Sequence, residues 1–477
     1  MNPVKKCAGA VHWFLGLMLI AAILSPGAGA APPQLKFEPI DFHPEKGKRF
    51  TLANGMVVYL LEDHELPIVD MTLMVRAGSL YEPADKIGLA SITGSLMRTG
   101  GAGDKTGDEI DEELEFLSAS ISTYVGVESG GGDLNVLAKD FDRGLDLFAD
   151  ILLHPRFSEE KLKLLKDESI EDIRRRNDNP SGIASREFAK LLYGADSPYA
   201  REDTVQTISA ITRQDCIDYY TRYFHPDEAI LGVTGDFKSD DVLRKLEYKF
   251  KEWEKRKDPL PQVPPVQLVF KPSVNVIDKN LTQTSIRVGQ LGIKQDNPDY
   301  FALSVMNDIL GGGAFSSRLF QEVRTRKGLA YSVGSIVVPG HSAEGMIFVH
   351  GQTMTRNTAL AISAILDNLR KVREEPVTPE ELQMAKDSFL NSFIFSFSTP
   401  AQIVSRQVSL DYFHLPADFM ERYRSEVSKV TREDVLRVAK KYLHTDGLTI
   451  LAVGQTAQFD PPLSQFGPVR VLSLSVP

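Results

Sequence analysis

The stretch ITRQDCIDYYTRYFHPDEAILGVTG, Ile211 to Gly235, decides the fold, because the chain repeats it as VTREDVLRVAKKYLHTDGLTILAVG, Val430 to Gly454. The two stretches align without gaps at an offset of 219 residues (454 − 235), and both predict a helix followed by a short apolar strand. A second pair, FSEEKLKLLKD from Phe157 and VTPEELQMAKD from Val377, aligns at an offset of 220 (377 − 157). Two copies of one module of about 200 residues explain both matches.

The boundaries of the copies follow from composition. We expect halves at residues 46–255 and 270–460, a Pro-rich linker at 256–269 and a tail at 461–477. The linker prediction rests on KEWEKRKDPLPQVPPVQ, which is charged and then Pro-rich, as is typical of a semi-rigid spacer. Strand runs around an Asn-Gly turn, followed by amphipathic helical patterns, predict an α+β fold. Each half is then an α/β-sandwich-like unit in which helices pack on a mixed or antiparallel sheet.

Residues 1–30 have the pattern of a secretory signal peptide. Lys5 and Lys6 precede an apolar run that ends in small residues before Ala31. A retained membrane anchor is the alternative. No later apolar run reaches the roughly 18 residues that a spanning helix needs, so we expect no stable membrane span after cleavage. The sequence therefore predicts an exported protein.

The charge balance excludes one class of partner. Loss of Lys5 and Lys6 leaves 52 basic against 64 acidic residues, a net charge of −12. A chain this acidic, with no basic block, is a poor nucleic-acid binder. Cys216 is the single cysteine after residue 30, so no internal disulfide is expected.

The common catalytic motifs are incomplete in this sequence. GHSAE at Gly340–Glu344 lacks the second glycine of a nucleophile elbow. Cys216 occupies a repeat position that Val435 holds in the other copy, which indicates a core residue rather than a nucleophile. The eight histidines after residue 30 include no pair spaced i, i+3 or i, i+4, so we expect no metal site in this chain.

Five motifs carry a family resemblance: RAGSLYEP (Arg76–Pro83), GLA (Gly88–Ala90), LLHPRFSEEKL (Leu152–Leu162), HPDEAILGVTGDF (His225–Phe237) and LGGGAFSSRLFQEVRTRKGLAYSV (Leu310–Val333). With them, residues 46–460 resemble the pitrilysin/insulinase family of inverted zinc metallopeptidases, in its processing-peptidase-like subfamily. The resemblance implies that the two homologous halves together form one half of a clamshell.

The metal positions of that family fall on GLASITGSLMRTGG, Gly88–Gly101. Active members carry H-x-x-E-H there, with two zinc-binding histidines and a glutamate that activates water. The matching positions in this chain are Ser91, Gly94 and Ser95, and the third ligand position falls on Glu171. The resemblance thus implies a degenerate zinc site and a chain that binds no zinc itself.

The family's substrate-binding pair, an Arg and a Tyr seven residues apart, falls on Arg324 and Tyr331. Both side chains can donate hydrogen bonds to a peptide carbonyl and to the oxyanion that forms from it. The alternative is an ordinary helix salt bridge at Arg324 and a strand start at Tyr331. Gly311, Gly312 and Gly313 match a glycine-rich segment that lies near substrate in relatives, or else form a flexible loop with a helix cap.

These features predict the non-zinc subunit of an exported heterodimeric zinc metallopeptidase, most consistent with a bacterial periplasm. The expected partners are a homologous zinc-bearing subunit and a peptide substrate, which adds to an exposed strand edge at Ser118–Val127. Such a chain would be inactive alone, and zinc would reside in the partner. The alternatives are a non-catalytic peptide-binding or assembly scaffold of the same family, and a self-sufficient enzyme with an unforeseen site.

Overall fold

Two six-stranded mixed sheets form the framework of the protein in a computed structural model that describes residues 45–395 and 397–474. The predicted signal peptide, 1–30, lies outside the described residues. Sheet 1 has the order β1-β2-β6-β3-β5-β4. Strands β2 and β6 are parallel and the other pairs are antiparallel. Its strands are β1 (Lys48–Thr51), β2 (Val57–Glu62), β3 (Ile68–Val75), β4 (Ser120–Val125), β5 (Gly130–Leu137) and β6 (Ala229–Gly235).

Sheet 2 repeats this topology with the order β12-β7-β11-β8-β10-β9. From β7 onward, each strand occupies the place of its repeat partner in sheet 1, which confirms the two-copy fold predicted from sequence. The two sheets differ in the strand beside β7. There, β12 comes from the predicted tail and pairs in parallel with β7, whereas β1 pairs antiparallel with β2. The strands are β7 (Ser273–Asp278), β8 (Gln283–Leu291), β9 (Ala330–Val338), β10 (Met346–Met354), β11 (Thr449–Gly454) and β12 (Val469–Val471).

Helices flank both sheets. In the first half they are α1 (Leu89–Thr99), α2 (Gly107–Leu117), α3 (Phe141–Leu153), α4 (Glu159–Arg175), α5 (Pro180–Tyr193), α6 (Val205–Ala210), α7 (Arg213–Tyr223) and α8 (Ser239–Phe250). In the second half they are α9 (Tyr300–Asn307), α10 (Thr358–Glu374), α11 (Pro379–Phe395), α12 (Pro400–Tyr412), α13 (Phe419–Lys429) and α14 (Arg432–Tyr442). Two π-helical segments, Asp308–Gly312 and Phe320–Arg326, follow α9.

Local sequence explains where the repeated helices begin. Thr212 and Thr431 cap α7 and α14, and each Thr side chain accepts a hydrogen bond from the backbone N–H three residues later. The carboxylates of Asp215 and Asp434 accept in turn from the backbone N–H groups of Thr212 and Thr431, which completes a capping box in each copy. Cys216, in the next turn, is fully buried among apolar side chains, in line with its predicted core position.

Each sheet has an inner face, covered by helices of its own half, and an outer face that receives one helix from the other half. Helix α12 packs Val404 and Val408 on the outer face of sheet 1, against Gly232. Helix α5 packs Phe188 on the outer face of sheet 2, where its ring centroid lies 5.9 Å from that of Phe348. The two halves therefore exchange helices that are repeat equivalents.

The join between the halves contains no helix or strand from residue 251 to residue 272. Trp253 anchors its start, since the indole is buried and donates to the Phe224 carbonyl at 3.0 Å. Within the described part of the chain, no helix combines the length and the apolar character that crossing a membrane requires.

Candidate functional site

The predicted substrate-binding residues of the second half lie together. Arg324 belongs to the π-helical segment Phe320–Arg326, and Tyr331 is the second residue of β9. The guanidinium carbon of Arg324 lies 5.8 Å from the centroid of the Tyr331 ring and 4.5 Å from that of Phe320. We call Arg324 and Tyr331 the Arg/Tyr pair. Two aromatic faces thus hold the arginine by cation–π attraction.

The Arg324 guanidinium has no hydrogen bond or ion pair with any residue in the described ranges, so the salt-bridge alternative finds no partner there. Its neighbours behave differently, because Arg326 and Lys327 both contact Glu322. Tyr331 is 72% exposed. An unpaired guanidinium beside an accessible phenol leaves hydrogen-bond donors available to a ligand.

A β-bulge accounts for the exposure of Tyr331. Ser332 pairs with Gln352 of β10, whereas Ala330 pairs with the next residue, Thr353, so Tyr331 has no opposite residue. A bulged residue leaves the regular alternation of the strand, which changes the direction of its side chain. Strand β9 is also an edge strand of sheet 2, so Tyr331 lies at a sheet edge.

The glycine-rich segment packs against that edge strand. A Cβ on Gly311 would lie 2.6 Å from the Ser335 hydroxyl of β9, and one on Gly312 would lie 2.6 Å from the Asn307 amide. Ser335 in turn donates to the Asn307 side-chain oxygen at 2.8 Å. These close approaches favour glycine and hold the segment against β9, the strand that carries Tyr331. Gly313 follows, where a Cβ would lie 2.8 Å from the Asp308 carbonyl.

The positions that correspond to a zinc site lie on α1 and α4, which pack together. Ser91 is exposed, Ser95 is partly buried, and Glu171 is exposed and ion-paired with Arg174 of its own helix. Serine hydroxyls are weak neutral zinc ligands compared with imidazole, thiolate or carboxylate. Across residues 45–395 and 397–474, no three His, Cys, Asp or Glu side chains form a group able to hold a metal ion.

Backbone packing at Gly94 further limits this region. Thr123 of β4 donates to the Gly94 carbonyl at 2.6 Å, and a Cβ on Gly94 would overlap the Val125 backbone nitrogen and lie 2.6 Å from the Tyr124 carbonyl carbon. A glutamate at this position would require α1 to move away from β4. The residues present therefore do not fit a catalytic zinc ion, in either ligand chemistry or available space.

Phe320, which packs on Arg324, was not among the residues singled out from sequence. The signal was present, since Phe320 and Arg324 are spaced i, i+4 in a helical segment and such residues face each other. Phe315, 71% exposed, extends this aromatic surface with its ring centroid 4.8 Å from that of Phe320.

Fold and site together define a two-half, peptidase-like protein in which the first half lacks metal ligands and the second half retains a donor pair. Two family models match the chain: Insulinase (Peptidase family M16) over residues 57–194, and Peptidase M16 inactive domain over residues 210–389. The chain belongs to this insulinase family, as its motifs indicated.

Curated relatives match along most of their length. The uncharacterized zinc protease YmxG of Bacillus subtilis is 25% identical over 403 residues, which cover 84% of this chain and 96% of that protein. An uncharacterized zinc protease of Mycobacterium leprae is 26% identical over 403 residues, covering 83% and 89%. These relatives are described as zinc proteases, whereas Ser91, Gly94 and Ser95 supply no strong zinc ligand in this chain.

Solved structures share the fold. A peptidase M16 inactive domain from Pseudomonas fluorescens matches with a TM-score of 0.78 and 26% identity, over 86% of this chain and 98% of that one. The periplasmic protease PqqL from Escherichia coli matches with a TM-score of 0.71 at 15% identity, over 94% of this chain and 51% of that one. The latter likeness shows a common fold.

Proposed function

We propose that this protein is the non-zinc subunit of an exported heterodimeric zinc metallopeptidase. In this proposal its Arg/Tyr pair completes the active site of a homologous, zinc-bearing subunit. The observation that carries the proposal is the unpaired Arg324 guanidinium beside the exposed Tyr331, in a chain whose first half offers no fit for zinc. Membership of the insulinase family supports a peptide substrate.

The pair acts on the substrate carbonyl. The Arg324 guanidinium and the Tyr331 hydroxyl donate hydrogen bonds to the oxygen of the scissile carbonyl and hold it in place. These bonds strengthen as negative charge develops on that oxygen, which is how donors of this kind lower a barrier. Zinc held by the partner would polarise the carbonyl and supply the activated water.

Strand β4 supports the binding of an extended peptide. It is the edge of sheet 1 and pairs with β5 on one side, and it covers most of the predicted segment Ser118–Val127. Arg98 of α1 already donates to the Ile121 carbonyl of this edge at 3.1 Å, so a substrate strand would pair with the edge donors and acceptors that remain. Side chains of such a peptide would alternate between the two faces of the sheet.

Export and a periplasmic location belong to the same proposal. They rest on residues 1–30, which lie outside the described structure, and on the periplasmic description of PqqL. No zinc is assigned to this chain, and the single metal of the heterodimer would lie in the partner.

The proposal is tested by reconstitution with a homologous subunit that carries H-x-x-E-H, with kcat/KM measured on an unstructured peptide. Arg324→Ala should lower kcat/KM by about 100-fold, as expected when an oxyanion donor is lost. Tyr331→Phe should lower it by about tenfold, because the ring and its packing remain. Arg326→Ala is the matched control, since Arg326 lies in the same segment and contacts Glu322.

Thermal unfolding of each variant must match that of the wild type, so that a loss reports chemistry and not folding. Full activity of Arg324→Ala would refute the proposed role of the pair. If no zinc-bearing homologue is stimulated by the chain, the alternative of a non-catalytic peptide-binding or assembly scaffold takes its place.

A further inference from the structure

A large cleft lies between the outer face of sheet 1 and the helices of the second half. Its volume is about 800 Å³, within the range of small-molecule and short-peptide sites. The cleft is on the opposite side of sheet 1 from α1, and therefore away from the degenerate zinc positions. We call it the outer cleft. It is lined on the sheet side by Asp70, Thr72, Ser120, Ser122, Asp133, Asn135, Gly232 and Thr234.

The outer cleft exists because the two sheets differ at equivalent positions. Strand register places Thr72 of β3 where sheet 2 has Arg287, and Asp133 of β5 where it has His350. In sheet 2, Arg287 donates to Ser185 of α5 at 3.0 Å and is only 8% exposed. Smaller side chains on sheet 1 leave the corresponding space open.

Two residues further along the strands, sheet 1 again has a smaller side chain than sheet 2. Gly131 of β5 occupies the place of Phe348 in β10, by the same register. Phe348 packs on Phe188 of α5 in sheet 2. Position 131 supplies no ring in sheet 1; Tyr124 of the neighbouring β4 lies over it instead, with its hydroxyl oxygen 3.3 Å from where a Cβ on Gly131 would be.

Arg406 of α12 lines the outer cleft and differs from its repeat partner, Arg186 of α5 (406 − 186 = 220). Arg186 is ion-paired with Glu202, and it donates to Asn177 at 2.6 Å and to the Arg176 carbonyl at 3.2 Å. The Arg406 guanidinium makes no such bond within the described ranges, and its Nε is buried without a partner. A buried, unpaired donor is costly unless a ligand satisfies it.

The walls of the outer cleft combine apolar and polar surface. The Arg406 guanidinium carbon lies 5.3 Å from the Phe419 ring centroid. On the sheet side, Asn135 donates to Asp70 at 2.7 Å and Ser122 donates to Asp133 at 3.3 Å, and both carboxylates can accept further hydrogen bonds. The aromatic residues on the helix side are Tyr300, Phe389, Phe397, Phe419 and Tyr423.

We propose that the outer cleft binds a short peptide through its free C-terminal carboxylate. Arg406 pairs with that carboxylate, the aromatic wall holds an apolar side chain, and Asp70 and Asp133 accept from peptide N–H groups or the terminal amine. A fatty acid would match Arg406 but would bring no donors for the two aspartates. A neutral glycan would leave Arg406 unpaired. The site needs no zinc-bearing partner and is independent of the Arg/Tyr pair.

The test is calorimetric titration of the full-length chain, alone, with the tripeptide Ala-Leu-Phe as free acid and as C-terminal amide. The acid should bind at one site and the amide about tenfold more weakly, because the amide lacks the charge that pairs with Arg406. Arg406→Gln should weaken the acid about tenfold and leave the amide nearly unchanged. Ser122→Phe, which fills the cleft from the sheet side, should weaken both.

Arg324→Gln distinguishes this site from the Arg/Tyr pair, and binding of the acid should survive it. The inference is overturned if acid and amide bind wild type equally, if neither binds, or if Arg324→Gln and not Arg406→Gln lowers affinity. Tighter binding of maltotriose than of the tripeptide would also overturn it. The acid–amide comparison on wild type needs no variant, so a folding defect in Arg406→Gln cannot hide a negative result.

Discussion

The edge strands of the two sheets show how one backbone arrangement supports different chemistry. On the first edge Gly94 brings α1 against β4, and on the second Gly311 brings the segment after α9 against β9. Glycine permits the close approach at both edge strands, so backbone packing alone does not distinguish the halves. The difference lies in the side chains: Arg324 and Tyr331 are available at the second edge, whereas the first offers two serine hydroxyls near Gly94. The two halves thus differ in the side chains that stand beside a shared scaffold.

The largest effect on both edges is expected from adding a methyl group at each glycine contact. Gly94→Ala and Gly311→Ala should each lower the free energy of unfolding by about 3 kcal/mol, because overpacking against backbone cannot relax through a rotamer change. Urea unfolding followed by circular dichroism measures both. Equal losses of unfolding free energy would support the same packing role for glycine at the two edges.

Gly182 of α5 supplies the control for these substitutions. A Cβ there would meet only Asn179 at 3.7 Å, so Gly182→Ala should raise stability by up to about 1 kcal/mol through helix propensity. If the Gly94 variant proved as stable as the wild type, the close packing of α1 on β4 would be wrong.

A smaller effect is expected from making the outer faces of the two sheets alike. Arg287→Thr places in sheet 2 the residue that sheet 1 has at the equivalent position. It removes a hydrogen bond to Ser185 and a cation–π contact with Phe348, and should cost about 2 kcal/mol in unfolding free energy. Thr72→Ser, the paired change in sheet 1, should cost less than about 1 kcal/mol. Equal costs would contradict the view that only sheet 2 is filled there.

The smallest expected effect concerns Asp308, beside the glycine-rich segment. Burial raises the pKa of its carboxyl to about 6, while an unfolded Asp titrates near about 3.9. The folded state therefore keeps a proton that the unfolded state has lost, and this contribution to stability, full below about pH 4, is lost as pH rises through about 6. Relative to wild type, the unfolding free energy of Asp308→Asn, measured by urea unfolding, should rise by about 1 kcal/mol between pH 4 and pH 7. The full pKa difference would give about 3 kcal/mol, and solvent screening of the partly exposed carboxyl reduces it.

Asp299 provides the opposite sign as a control. Burial alone would raise the pKa of this carboxyl, but hydrogen bonds from Lys441, Arg437 and Tyr442 outweigh it and hold the pKa at about 2. Its stabilising contribution is present above about pH 4 and falls as pH drops toward 2. The unfolding free energy of Asp299→Asn should therefore fall relative to that of wild type as pH rises from 2 to 4. A difference that does not change with pH would argue against the assigned hydrogen bonds.

Much of this architecture could be predicted from sequence, because repetition and motif spacing are local signals. The repeat at Ile211–Gly235 and Val430–Gly454 indicated the two copies. The family resemblance, not the spacing itself, pointed to Arg324 and Tyr331, and the Arg324 guanidinium carbon lies 5.8 Å from the Tyr331 ring centroid. The outer cleft could not be predicted. It depends on strand register across β3, β5 and β6 and on the lack of a partner for Arg406 among the residues that the structure describes, and neither property is visible in a linear pattern.

The exchange of α5 and α12 between the sheets affects the order in which the chain can fold. Tyr59 and Ile230 lie on the apolar outer face of sheet 1, and the helix that covers them ends at Tyr412. During synthesis from the N-terminus, this apolar surface of sheet 1 therefore remains exposed until nearly the whole chain has emerged. Long-range closure of this kind slows folding and exposes intermediates to aggregation. A chaperone that shields the first half should raise the yield of soluble protein more than one that acts on the second.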